Sequence, residues 1–112
     1  MDNAKEEFIN NIGTSNIKCA DIEIRYGYGR VHKALRGKVR VHAEFKVGGS
    51  GKEFEDFLES INLDYDSGFG TQQLYGIVWM NDGTWYTRDE YDGSEWWEHH
   101  EVPAIPEELK RT

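Results

Sequence analysis

Four carboxylates cluster near the C-terminal end of the chain, Asp89, Glu90, Asp92 and Glu95, interleaved with Tyr91, Trp96 and Trp97. Paired acids beside aromatic rings are what glycoside hydrolysis uses, one to donate a proton and the other to attack or activate water. Acids beside turns are more often solvated, and Asp92-Gly93 is a turn signal, so the bland reading outweighs the enzymatic one. His99 and His100 lie between Glu98 and Glu101, a set that would suit a metal ion. Successive residues of a strand point to opposite faces, however, and no thiol or HxH spacing accompanies them. Cys19 has no activating neighbours and, placed before a strand, reads as a small buried hydrophobe. Gly27-Tyr28-Gly29-Arg30 lacks the spacing and the following helix of a phosphate loop. The expectation is a protein that is not an enzyme and has neither cofactor nor metal.

Binding chemistry is better represented. All four tryptophans, Trp79, Trp85, Trp96 and Trp97, fall between Tyr75 and Pro103. Most of them read as core rings, since aromatics favour strands. Adjacent Trp96 and Trp97 cannot share a face, so one is buried and one is available as a contact residue. The contact surface expected from this pattern joins Tyr91, Asp92, Glu95, Trp96 and Trp97 to the acidic loop residues Asp64, Tyr65 and Phe69. A second candidate surface is basic. Arg25 to Val47 holds seven basic residues against one acid, Glu44, a local charge of +6; the chain's net charge of -8 leaves -14 for the remainder. Arg25, Tyr28, Arg30, Lys33, Arg36 and Arg40 could grip a phosphate or nucleotide, with the tryptophans as a stacking platform. Neutralisation of acidic sheet residues is the simpler use for these cations, and the overall acidity argues against direct nucleic-acid or anionic-membrane binding.

The elements that must position these residues follow from periodicity. At 112 residues the chain suits one domain over 1–112, and its single cysteine points to a reducing cytoplasm. No apolar stretch approaches the ~20 residues of a membrane span. Residues 3 to 12 predict a short helix, with Asp2 as N-cap and Gly13 as its stop. Ile17 to Tyr28 and Lys38 to Val47 alternate with period two and predict a hairpin in which Asp21 and Glu23 face Arg40, His42 or Lys46. Ser50 and Glu53 form a capping-box pattern ahead of Phe54, Phe57, Leu58 and Ile61, the clearest helix in the sequence. Leu74 to Met80 is apolar on both faces and predicts a central strand covered on both sides. The Asn81–Thr84 and Asp92–Ser94 turns fold Trp85 to Arg88 and Glu95 to Val102 into a meander. Pro106 opens a short terminal helix. The predicted fold is α+β: a mostly antiparallel sheet of about five strands, a helix packed on one face, and short terminal helices.

The block from Gly83 to Leu109, GTWYTRDEYDGSEWWEHHEVPAIPEEL, resembles a C-terminal pattern in small accessory proteins of large tailed bacteriophages, DGTW followed by EYDGSEWW and PxIP. The resemblance spans the last quarter of the chain and carries no catalytic residues. It implies a protein of the host cytoplasm that binds and inhibits or redirects a host protein, such as a basic nucleic-acid-handling or defence enzyme. A homodimer joining the +6 and -14 portions is a further expectation.

Overall fold

Alternation of apolar and polar side chains builds the sheet, and two short amphipathic helices cover one side of it. The computed structural model describes residues 2–28, 31–66 and 71–111. In chain order these form strand β1 (Asp2–Asn3), helix α1 (Ala4–Asn11), strands β2 (Ile17–Arg25) and β3 (Val39–Phe45) and helix α2 (Gly51–Ser60). Strands β4 (Asp64–Tyr65), β5 (Leu74–Met80), β6 (Trp85–Tyr91) and β7 (Ser94–His100) follow. Five strands make one antiparallel sheet in the order β3-β2-β5-β6-β7, and β1 pairs with β4 in a small second sheet. The fold is α+β, as the periodicity predicts.

Local chemistry fixes the ends of each element. Asn3, not Asp2, caps α1: its side-chain oxygen accepts the Glu6 N–H at 3.0 Å, while Asp2 is held in β1 opposite Tyr65. Gly13, at φ 91°, ends the helix by donating its N–H to Ile9 O at 3.0 Å. The Ser50–Glu53 capping box starts α2 as predicted. Asp92 and Gly93 both have positive φ, 51° and 85°, and join Tyr91 to Ser94 in the tight primed turn whose twist suits a hairpin. The C-terminal helix expected after Pro106 is only a 3-10 turn, Glu107–Leu109, with its apolar residues exposed.

The core lies between the helices and one sheet face. Ala20, Ile22 and Ile24 of β2, Ala43 and Phe45 of β3, and Leu74 and Val78 of β5 meet Phe8, Phe57, Leu58 and Ile61. Phe8 stands edge-on to Phe57 at 5.7 Å and to Trp97 at 6.2 Å, so α1 and β7 share a wall of rings. Each fully buried large side chain contributes about 1.5–3 kcal/mol. The opposite face of β5 is not covered. Ile77 and Trp79 are 39% and 40% exposed, because both helices lie on the same side of the sheet and no third layer exists among the described residues. The two-sided apolar pattern of β5 therefore marks a core face and an open face.

Gly76 sits where these faces are tightest. A Cβ there would come within 2.9 Å of Asp21 O and 3.0 Å of both Ile22 Cγ1 and Trp97 Cη2. Backbone cannot yield as a flexible side chain can, so Gly76→Ala is expected to cost about 1–3 kcal/mol in denaturant unfolding. A neutral substitution would mean that β2 and Trp97 move apart at no expense.

Candidate functional site

Arg88 on β6 organises the back of the site. Its position follows from the β5–β6 hairpin: Val78 pairs with Tyr86, so Tyr86 and Arg88 share the core face. The guanidinium side chain has 0% exposure. It donates to Tyr65 Oη at 2.6 Å and to Glu7 Oε1 at 2.5 Å, and lies 3.4 Å from Glu95 Oε1. The rings of Tyr65 and Trp97 flank it, 5.8 and 5.5 Å from the guanidinium carbon. Tyr65 donates its hydroxyl to Glu7, and burial, followed by that bond, holds the phenol protonated well above its ordinary range. The Glu95 side chain is 1% exposed and accepts from the Gln73 and Leu74 N–H groups at 3.2 and 3.4 Å. Burial pushes its carboxyl up, opposed by the Gln73 N–H and by Arg88.

This arrangement replaces part of a sheet ladder. The β5–β6 pairing runs only from Trp79–Trp85 to Ile77–Thr87 and then stops. Beyond it, the Glu95 carboxylate reaches from β7 to take the amides at the start of β5. The two strands part there, and a depression of about 400 Å³ opens on the other side of the sheet. Tyr75, Gly76 and Ile77 line one side and Thr87 and Arg88 another, with Asp21, Glu23 and His42 completing the rim.

The open face can be read row by row from the register. Trp79 pairs with Trp85 and Trp85 with His100, whose ring stacks on Trp85 at 5.5 Å. Ile77 pairs with Thr87 and Thr87 with Glu98. Glu23 pairs with both His42 and Tyr75, and Asp89 pairs with Trp96. Trp96 is 38% exposed and donates its indole N–H to Glu98 at 2.8 Å. His42 Nε2 lies 2.6 Å from Asp21, and this hydrogen bond raises the imidazole pKa above its ordinary value. The result is an aromatic surface edged with acids. It is built on strands, which hold side chains more firmly than loops do.

Several sequence-predicted residues fall elsewhere. Of the adjacent tryptophans, Trp97 is the buried one and Trp96 the exposed one. Trp79 and Trp85, read from sequence as core rings, lie on the open face because their strand positions alternate with those of the core residues. Glu95, Trp97 and Tyr65 were expected at the contact surface. They are buried instead, because Arg88 requires a counter-charge, a hydroxyl and flanking rings, so they support the surface from behind. Asp64 lies in β4, its backbone pairing with Asn3. Phe69 and Arg30 lie outside the described residues. Tyr91 and Asp92 are exposed at the β6–β7 hairpin tip.

The basic candidates do not join the tryptophans. Arg25 is six positions from Cys19, the residue opposite Trp79, which is about 20 Å along an extended strand. Arg25 instead lies over Tyr75 at 5.0 Å and pairs with Glu23, and Arg40 lies over Tyr26 at 5.8 Å and donates to Asp64 O. Lys33 and Arg36 are exposed in and beside a 3-10 turn between β2 and β3, and Tyr28 is exposed before it. The carboxylates Asp89, Glu90, Asp92 and Glu95 do not converge either. Glu95 is buried against Arg88, Asp89 accepts from the Thr87 hydroxyl on the other face, and Glu90 caps the turn through the Gly93 N–H. His99 and His100 point to opposite faces, against Tyr86 and Trp85. Among the described residues, no group of three or more His, Cys, Asp or Glu could hold a metal ion, and no helix is long and apolar enough to cross a membrane. The signal that sequence reasoning missed is Arg88, which the Asn81–Thr84 turn register places on the Val78 face.

No family model, curated protein or solved structure matches the chain.

Two outcomes follow from these side-chain environments. Glu95→Ala leaves a buried guanidinium short of a counter-charge and two amides without their acceptor, so urea unfolding should show a loss of about 3–5 kcal/mol. Glu95→Gln keeps an acceptor and should cost clearly less; equal, small losses for both would refute the ion-pair account. An NMR titration of His42 should give a midpoint above 6.5 that falls toward it in Asp21→Asn. Because the folded value is raised, this pair's stabilisation is complete below the unfolded imidazole pKa of about 6.5. It is lost as pH rises through the folded value.

Proposed function

We propose that this chain is a non-enzymatic binding protein that docks on another protein through the open sheet face. One observation carries the reading: Ile77, Trp79 and Trp96 stand exposed on one strand-built surface, beside the half-buried Trp85 and Tyr75. Exposed tryptophan is expensive to leave in water and is enriched among the few residues that dominate protein interfaces. Tyr91, at the hairpin tip, adds an exposed ring to the rim of the same surface. The buried Arg88 network stiffens the sheet from behind, which limits the ordering cost of docking.

The likeness of Gly83–Leu109 to phage accessory proteins supports a host protein as the partner, inhibited or redirected by occupation of its surface. The chain's net charge of -8 favours a basic partner, with acidic groups steering the encounter. Affinity capture from host lysate tests this. Wild-type protein should recover a specific partner, and Trp79→Ala with Trp96→Ala should lower its affinity by at least about thirtyfold, a loss of about 2 kcal/mol, the threshold of an interface hot spot. The melting temperature should hold nearly constant, since neither ring belongs to the core. Unchanged capture by the double variant would overturn the assignment of this face.

A further inference from the structure

We propose that the depression between β5 and β6 receives a cationic side chain, arginine or lysine, presented by a basic segment of the docked protein. The inference rests on the reading of the open face as a docking surface and specifies what that surface recognises.

The walls are suited to such a group. Asp21 and Glu23 supply negative charge beyond their single bonds to His42 and Arg25, Tyr75 an aromatic ring, and Ile77 an apolar patch for the alkyl stem, while the lining Arg88 is answered by Glu7 and Glu95 behind the sheet. The Thr87 hydroxyl donates to Asp89 and lies 2.7 Å from His100 Nε2, which leaves its oxygen one further lone pair for a guanidinium. At about 400 Å³ the depression lies at the small end of the ~300–1,000 Å³ range of ligand pockets, a size for one side chain, not a folded element. The chain also shows the chemistry in miniature. Its own Arg25 lies over Tyr75 at 5.0 Å while pairing with Glu23, so this corner already holds one guanidinium by ring and carboxylate together.

Charge on the surrounding face points the same way. Asp21, Glu23, Glu44, Asp89 and Glu98 occupy strand positions on it. Among the described residues, Arg25 is committed to Glu23 and Arg40 to the Asp64 carbonyl and the Tyr26 ring. Asp21 pairs directly opposite Glu44 across β2 and β3, a like-charge placement that weakens a hairpin. On the core face the comparable Glu90–Glu95 pair has Arg88 beside it. On the open face His42 hydrogen-bonds Asp21 and pairs across from Glu23, and Arg25 answers Glu23, so a cation brought by the partner would neutralise the acids that remain, Glu44, Asp89 and Glu98.

The test uses the whole chain and a defined probe, a capped decapeptide of alternating arginine and glycine, followed by amide chemical shifts. A matched peptide with citrulline at every arginine removes the charge and keeps the shape. The arginine peptide should shift the Gly76, Ile77 and Thr87 amides and bind about tenfold tighter than the citrulline peptide. Asp21→Asn with Glu23→Gln, both partly solvent-exposed, should abolish most of that difference. Equal binding of the two peptides, shifts confined to other acidic surfaces, or no binding at all would each overturn the cation site. None of these would touch the partner capture through Trp79 and Trp96, so the two readings fail separately.

Discussion

A guanidinium shut away from water has to be answered by charge and hydrogen bonds from several directions, and Arg88 imposes that demand on the whole fold. Glu7 comes from the first helix, Tyr65 from the short strand after the second, and Glu95 from the edge of the meander. The β1–β4 pairing ties Asp2 and Asn3 to Tyr65 and Asp64, and so holds the chain start and the end of the α2 segment over one side of the sheet. A buried ion pair adds little net stability against a well-packed apolar substitute, since desolvation offsets most of the attraction. Its effect here is geometric: it specifies where three distant segments meet.

The same demand shapes the face that remains open. Glu95 is drawn across to the start of β5, the β5–β6 ladder ends early, and the sheet surface is indented at that point. Trp97 and Gly76 then pack closely behind the indentation, while Trp96, one residue away, is turned outward. Buried and outward-facing residues thus alternate along β7. One strand supplies both the support and the surface.

Much of the fold was legible because periodicity and turn chemistry are local. The alternating hairpin of β2 and β3, the Ser50–Glu53 helix start and both glycine-bearing turns of the meander appear where the residue pattern calls for them. The site was only half legible. Two adjacent tryptophans imply one inside and one outside, yet the choice between Trp96 and Trp97 depends on which face Arg88 occupies, a matter of tertiary charge pairing. Tyr65 and Glu95 look like surface residues in sequence, one in an acidic loop and one beside a turn. Their burial is decided by a partner 23 residues away in one case and 7 in the other. Trp79 and Trp85 carried the opposite error: large apolar rings imply a core, but with both helices on one side there was no second layer to receive them.

The central claim is that the open sheet face, and not the hairpin tip or the chain end, is the recognition surface. Hydroxyl-radical footprinting of the chain alone and bound to its captured partner tests it most directly. The account predicts that Trp79 and Trp96 react in the free protein and are protected in the complex, while Trp97 stays unreactive in both. Protection confined to Tyr91 or to the exposed residues after His100, with Trp79 and Trp96 equally reactive in both states, would contradict it.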